Sequence, residues 1–157
     1  ATPAMSLELA RVPASLSAPA GLEISVVKDI PGLQTWCSTF VGGYGIPEEF
    51  AEPLYALFEG IGLGFPLRHY LGILDGEPVG TALLNLAGGV AGIYCVATLD
   101  HMRGRGIGTA LTLAPLEEAR KLCFQYGVLQ SSGMGYNLYQ RLGFERVCDL
   151  EHYFWKG

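Results

Sequence analysis

From Pro78 to Leu99 no side chain carries a charge, and an apolar run of that length has two physical homes, a bilayer or a protein core. Asn85, the Gly88-Gly89 pair and Gly92 interrupt it, so it reads as two core strands joined by a glycine turn. A chain of 157 residues, 50% hydrophobic and 16% charged, fills such a core within one globular domain. The chain opens on Ala1 with neither a basic n-region nor a continuous apolar h-region, so no secretory signal is read, and a processed, cloned or fragmentary chain is suggested. Cys37, Cys95, Cys123 and Cys148 lie far apart without a C-x-x-C pair, which predicts reduced, mostly buried thiols in a cytoplasmic protein with no zinc or redox dithiol. The net charge of -5 argues against a nucleic-acid partner, because phosphate backbones are held by lysine and arginine.

Ala1 to Gly21, rich in alanine, proline and serine, reads as a linker or arm, with the folded unit beginning near Leu22. Leu22 to Val27 is a strand. Ile30 to Val41 is a helix with Leu33, Trp36, Cys37 and Phe40 on one face, ended by Gly42-Gly43-Tyr44-Gly45. Pro47 with Glu48 and Glu49 starts a second helix carrying a stripe of Phe50, Leu54, Leu57, Phe58 and Ile61. Tyr70 to Leu74, the turn Asp75-Gly76 and Val79 to Leu86 form an antiparallel hairpin, and Val90 to Ala97 adds a strand. A long helix then runs to about Tyr126, with Leu111, Ala114, Leu122 and Cys123 able to face the core and a bend expected at Pro115. Val128 to Ser131 is a buried strand, Met134 to Leu142 a short helix, and Phe144 to Phe154 a final pair of strands. The predicted class is α/β, a mixed sheet with helices on its faces, parallel only where a helix crosses over.

Between the central strand and the long helix lies Arg103-Gly104-Arg105-Gly106-Ile107-Gly108-Thr109. A helix start offers unpaired N–H groups and a partial positive charge, and glycines let an anion approach that backbone. A lone glycine pair would be a plain turn. Three alternating glycines interleaved with Arg103 and Arg105, after an uncharged strand, point to a phosphate-bearing ligand instead. A dinucleotide fingerprint fails because Thr109 or Leu111 stands where its third glycine belongs, and no glycine-lysine-Ser/Thr tripeptide forms a Walker A loop.

The segment Arg103 to Gly108 resembles the R/Q-x-x-G-x-G/A signature of the GCN5-related N-acetyltransferase (GNAT) superfamily, and Asn137 to Phe144 (NLYQRLGF) resembles that family's second element. The resemblance, which covers the chain from about Leu22, implies a mostly antiparallel sheet with splayed strands and acetyl-CoA (coenzyme A) as cofactor. It implies that the backbone from Arg103 to Thr109 holds the pyrophosphate and that Cys95, Val96 and Ala97 align the pantetheine arm. Asn137 would lie near the pantetheine and Tyr139 near the sulfur. The expected activity is acetyl transfer to an amine of a small molecule or peptide, directly within a ternary complex.

A tyrosine hydroxyl with a pKa of about 10 can protonate a thiolate whose acid has a pKa of about 8.5, so Tyr139 is the candidate acid, against the plainer reading of a core aromatic beside Leu138 and Leu142. The base is a gap, since relatives place a glutamate on or beside the central strand and this chain has Tyr94, Cys95 and Val96 there. His69, Glu48 and Glu49 are candidates, each also explained by a surface or capping role. Cys95 reads as a buried, unreactive thiol, and His101 and His152 as solvated or packed residues. The substrate is expected around Tyr44, the Gly60 to His69 loop and Asp149 to Trp155. Two other readings stand beside the enzyme: a non-catalytic acyl-CoA-binding module, and a partner domain or homodimer subunit.

Overall fold

The computed structural model describes residues 1–13 and 18–155, organised on one seven-stranded sheet. In chain order the elements are β1 (Thr2–Glu8), β2 (Leu22–Val26), α1 (Ile30–Tyr44), α2 (Ala51–Ile61), β3 (Leu67–Leu74), β4 (Glu77–Ala87), β5 (Val90–Thr98), α3 (Ile107–Lys121), β6 (Tyr126–Gln130), α4 (Tyr136–Arg141) and β7 (Glu145–Leu150). The strands lie in the order β2-β3-β4-β5-β6-β1-β7. Every neighbouring pair is antiparallel except β5 and β6, which α3 connects as a crossover. The uncharged run is the β4–β5 hairpin, and no helix among the described residues is long and apolar enough to cross a membrane.

The segment read as an arm contains β1, which pairs with β6 on one side and β7 on the other. The alternation Met5, Leu7, Leu9 explains this, since all three are buried and the first two share one strand face. Three scattered prolines and the surrounding small residues hide that alternation; Ala14, Ser15, Leu16 and Ser17 lie outside the described residues. The expected final pair of strands is a single strand, β7. The place a hairpin partner would take is filled by β1, and Tyr153, Phe154 and Trp155 stand exposed beyond it.

Local chemistry sets the other boundaries. Asp29 caps α1 by accepting from the Gly32 N–H at 2.8 Å, and Gly45 ends the helix with φ of 72°. Asp75 and Gly76, both at positive φ, make the tight β3–β4 turn. Helix α3 runs unbroken through Pro115 and stops at Lys121, so Leu122 and Cys123 are exposed rather than core-facing. Phe50, Leu57 and Ile61 are exposed too, leaving Tyr55 and Phe58 as the buried contacts of α2. Only Cys37 of the four thiols is fully buried; Cys95 is half-buried and Cys123 and Cys148 are exposed.

Helices cover both faces. Leu33, Trp36, Cys37, Phe40 and Phe58 from α1 and α2 pack with Leu71, Leu83 and Ala97 of the sheet. Ile107, Leu111 and Leu116 of α3 pack on the other face with Met5, Leu84, Ile93, Leu129 and Phe144. Each such fully buried aliphatic side chain contributes roughly 1.5–3 kcal/mol. The Trp36 indole N–H is shared between the carbonyls of Tyr70 at 3.0 Å and Ala82 at 3.2 Å, which fixes α1 on the sheet. On the opposite face the Tyr70 hydroxyl and Arg68 both donate to Glu118, tying β3 to α3.

Candidate active site

Strands β5 and β6 pair only where Ala91, Gly92 and Ile93 face Gly127, Val128 and Leu129. Beyond Ile93, β5 stays with β4 while β6 stays with β1, so the sheet splits between them. A bulge exaggerates the split. Tyr94 faces Leu83 and Ala97 faces Thr81, which leaves Cys95 and Val96 opposite one residue, and Cys95 takes a φ of 50°. The Thr81 hydroxyl donates to the Cys95 carbonyl at 2.9 Å and holds the bulge in place.

Into the split opens a cavity of about 820 Å³. One wall is β5 at Val96, Ala97 and Thr98, another is the glycine turn and the start of α3, and α4 with its preceding loop closes the far side. Gly43 and Tyr44, at the end of α1, form the rim.

The glycine turn is built for an anion. Gly104 and Gly106 adopt φ of 76° and 84°, a region where an L side chain is strained. Gly106 is the N-cap of α3 and has no side chain with which to cap it, while the first bond of the helix runs from the Ala110 N–H to the Gly106 carbonyl at 3.1 Å. The amides of Ile107, Gly108 and Thr109 precede that bond at the positive end of the helix, and all three residues line the cavity.

Of the residues singled out from sequence, Val96, Ala97, Arg103, Gly104, Gly106, Ile107, Gly108, Thr109 and Tyr139 come together on the cavity. Cys95, Arg105 and Asn137 do not line it. Cys95 sits in the bulge and packs against the α1–α2 side of the sheet, and Arg105 and Asn137 are exposed. Arg103 reaches the cavity wall, but its charge is engaged within the protein: it donates to the carbonyls of Gly43 at 2.8 Å and Thr98 at 3.3 Å and pairs with Asp100. Its amide donates to the Asp100 carbonyl at 3.3 Å. Among the described residues the cation on the wall without an ion-pair partner is Arg141, one turn after Leu138, which also lines the cavity; their i, i+3 spacing on a short helix was the available signal.

Tyr139 is buried, packs edge-on against Phe144 with centroids 5.9 Å apart, and borders the cavity. Gly135 leaves room for its ring, since a Cβ there would stand 2.7 Å from it. Burial, with a smaller contribution from Tyr44, pushes the hydroxyl up to about 12, so it is protonated at neutral pH. The Cys95 thiol is likewise pushed up to about 12 by burial, which makes it a poor nucleophile.

No carboxylate or imidazole lines the cavity among the described residues. Glu48 and Glu49 stand exposed ahead of α2. His69 is buried with neither ring nitrogen hydrogen-bonded, held edge-on by Trp36 and Phe58 at centroid distances of 4.9 and 4.7 Å. Burial lowers its pKa to about 4.

Residues 33–144 match the family model described as the acetyltransferase (GNAT) family. No curated protein matches the chain. Among solved structures, a GCN5-related N-acetyltransferase from Sphaerobacter thermophilus is 20% identical with a TM-score of 0.77, covering 93% of this chain and 48% of that one. One from Kribbella flavida is 23% identical with a TM-score of 0.70, covering 92% and 54%. The chain thus spans about half the length of these relatives. A predicted acetyltransferase from Clostridium acetobutylicum, solved with acetyl-CoA, is 18% identical with a TM-score of 0.70, covering 85% of this chain and 96% of that one.

Proposed function

Because the chain belongs to the acetyltransferase (GNAT) family, we propose that it is an acetyl-CoA-dependent N-acetyltransferase acting directly, in a ternary complex, on an amine of a small molecule or peptide. The observation that carries this reading is the strand split whose walls are the unpaired amides of a glycine-capped helix on one side and the Tyr139 hydroxyl on the other. When bound, acetyl-CoA supplies an activated acetyl thioester. The residues present suit it: the amides of Ile107, Gly108 and Thr109 would hold the diphosphate, Arg141 would add charge, and the β5 edge at Val96 and Ala97 would align the arm.

Backbone donors on that edge would also stabilise negative charge at a reacting carbonyl, an effect worth roughly 3 kcal/mol for one donor. Tyr139 would hold the proton that a departing sulfur needs. A hydroxyl at about 12 exceeds an ordinary thiol by about 3.5 pH units, so the transfer would be balanced only where the same burial raises the thiol.

A second reading, an acyl-CoA-binding module without turnover, is favoured by one observation, the lack of a carboxylate or imidazole on the cavity wall among the described residues. Thiol release from acetyl-CoA over a panel of amines, peptides and antibiotics tests the two. Turnover with at least one amine supports the enzyme. Tight acetyl-CoA binding with no acetylation across the panel supports the module.

A further inference from the structure

We propose that Arg103 is a positioning residue that straps the end of α1 to the glycine turn, and so fixes Tyr44 as a wall of the cavity, instead of spending its charge on a ligand phosphate. The inference rests on the acetyl-CoA reading only for what the cavity holds.

Three elements meet at this one side chain. Nη2 donates to the Gly43 carbonyl in the last turn of α1, Nε donates to the Thr98 carbonyl at the end of β5, and Nη1 pairs with Asp100 ahead of the glycine turn. The carbonyls of a final helical turn have no intrahelical donor and carry the negative end of the helix dipole, so a guanidinium is their natural partner. Val41 is served by the amides of Gly45 and Ile46; Gly43 is served by Arg103. A planar fork holds carbonyls on two elements and a carboxylate at once in a fixed geometry, which the rotatable donors of an ammonium do not impose.

The contact is possible because α1 lies hard against β5 here. A Cβ on Gly43 would stand 3.0 Å from the Ala97 Cβ and 3.2 Å from the Thr98 backbone. Tyr44 follows immediately, more than half exposed on the rim. The strap therefore joins the wall expected to hold the cofactor to the rim where an acceptor would enter, and the guanidinium is already occupied on three sides.

The test uses the full chain, unliganded and with coenzyme A. Hydrogen exchange is followed at the amides of Gly45 and Ile46, and the 3-fluorotyrosine resonance of Tyr44, assigned with Tyr44→Phe, is followed by NMR. Arg103→Met should speed exchange at those two amides about tenfold while β4 stays protected, and should shift the Tyr44 resonance. Arg103→Lys should restore part of both, and Asp100→Asn should give a smaller change of the same sign. The salt dependence of coenzyme A affinity should be the same in Arg103→Met as in the wild type, and should fall in Arg141→Met. Unchanged exchange and an unchanged Tyr44 resonance in Arg103→Met would overturn the strap, as would loss of the salt dependence in that variant. If the wild type binds no coenzyme A, the acetyl-CoA reading fails, and the exchange and fluorine measurements decide the strap alone.

Discussion

His69 stands between the edges of two aromatic rings with both nitrogens unpaired, and that placement has a pH signature. Its pKa is lowered by burial from 6.5 to about 4. Above pH 6.5 the ring is neutral in folded and unfolded chains alike. As pH falls from there towards 4, the unfolded chain takes up a proton that the native ring refuses, so stability declines, by about 3 kcal/mol when complete. Urea midpoints measured across that window should fall in the wild type and fall less steeply in His69→Leu. Tyr139 carries the second prediction at this scale. Phenylalanine keeps the packing on Phe144 and Gly135 but removes the proton, so Tyr139→Phe should lower kcat by about 100-fold with coenzyme A affinity unchanged by calorimetry. The hydroxyl stays protonated to about 12, so any alkaline loss of rate below about pH 10 should persist unaltered in that variant. A fall in affinity equal to the fall in kcat would count against its role as an acid.

Two elements meet the cavity through glycines, for different reasons. At Gly106 the backbone conformation is the requirement, since an added Cβ would find only Pro19, at 4.0 Å. Gly106→Ala should therefore cost about 1–2 kcal/mol through strain and weaken coenzyme A binding by distorting the amides beside it. At Gly43 space is the requirement. Gly43→Ala must push α1 off β5, at a cost of about 1–3 kcal/mol, and denaturant unfolding beside calorimetry should register both variants. The glycine turn was legible in the sequence because its chemistry is local: alternating glycines, a following helix and a preceding uncharged strand. The engagement of Arg103 was not, because its principal acceptor, the carbonyl of Gly43, lies in an element distant in sequence. Arg141 escaped notice for a related reason, since only the fold of α4 across the split brings it to the wall.

At the scale of the whole molecule, the order of elements from β2 to α4 follows from periodicity and turn residues, and the crossover at α3 follows from the single parallel pair. What the sequence concealed is the neighbour of β6. Alternation over Met5, Leu7 and Leu9 is too short to outweigh three prolines, and its partners lie at the opposite end of the chain, Thr2 facing Leu150 and Ala4 facing both Gln130 and Cys148. Met5 is 1% exposed. Met5→Ala should accordingly cost about 2–5 kcal/mol, and deleting residues 1–8 should remove the link between β6 and β7 and abolish cooperative thermal unfolding. A truncated chain that melts as sharply as the intact one would show that β1 is dispensable.

That insertion also governs how the molecule can come into being. The stretch that joins β6 to β7 leaves the ribosome ahead of both these neighbours and has to wait, unpaired, until β6 at Tyr126–Gln130 has followed it. Assembly at this edge is therefore bound to be a late event, and a nascent chain halted before Glu145 would carry Met5 and Leu7 on a strand with one vacant flank, a natural foothold for a chaperone.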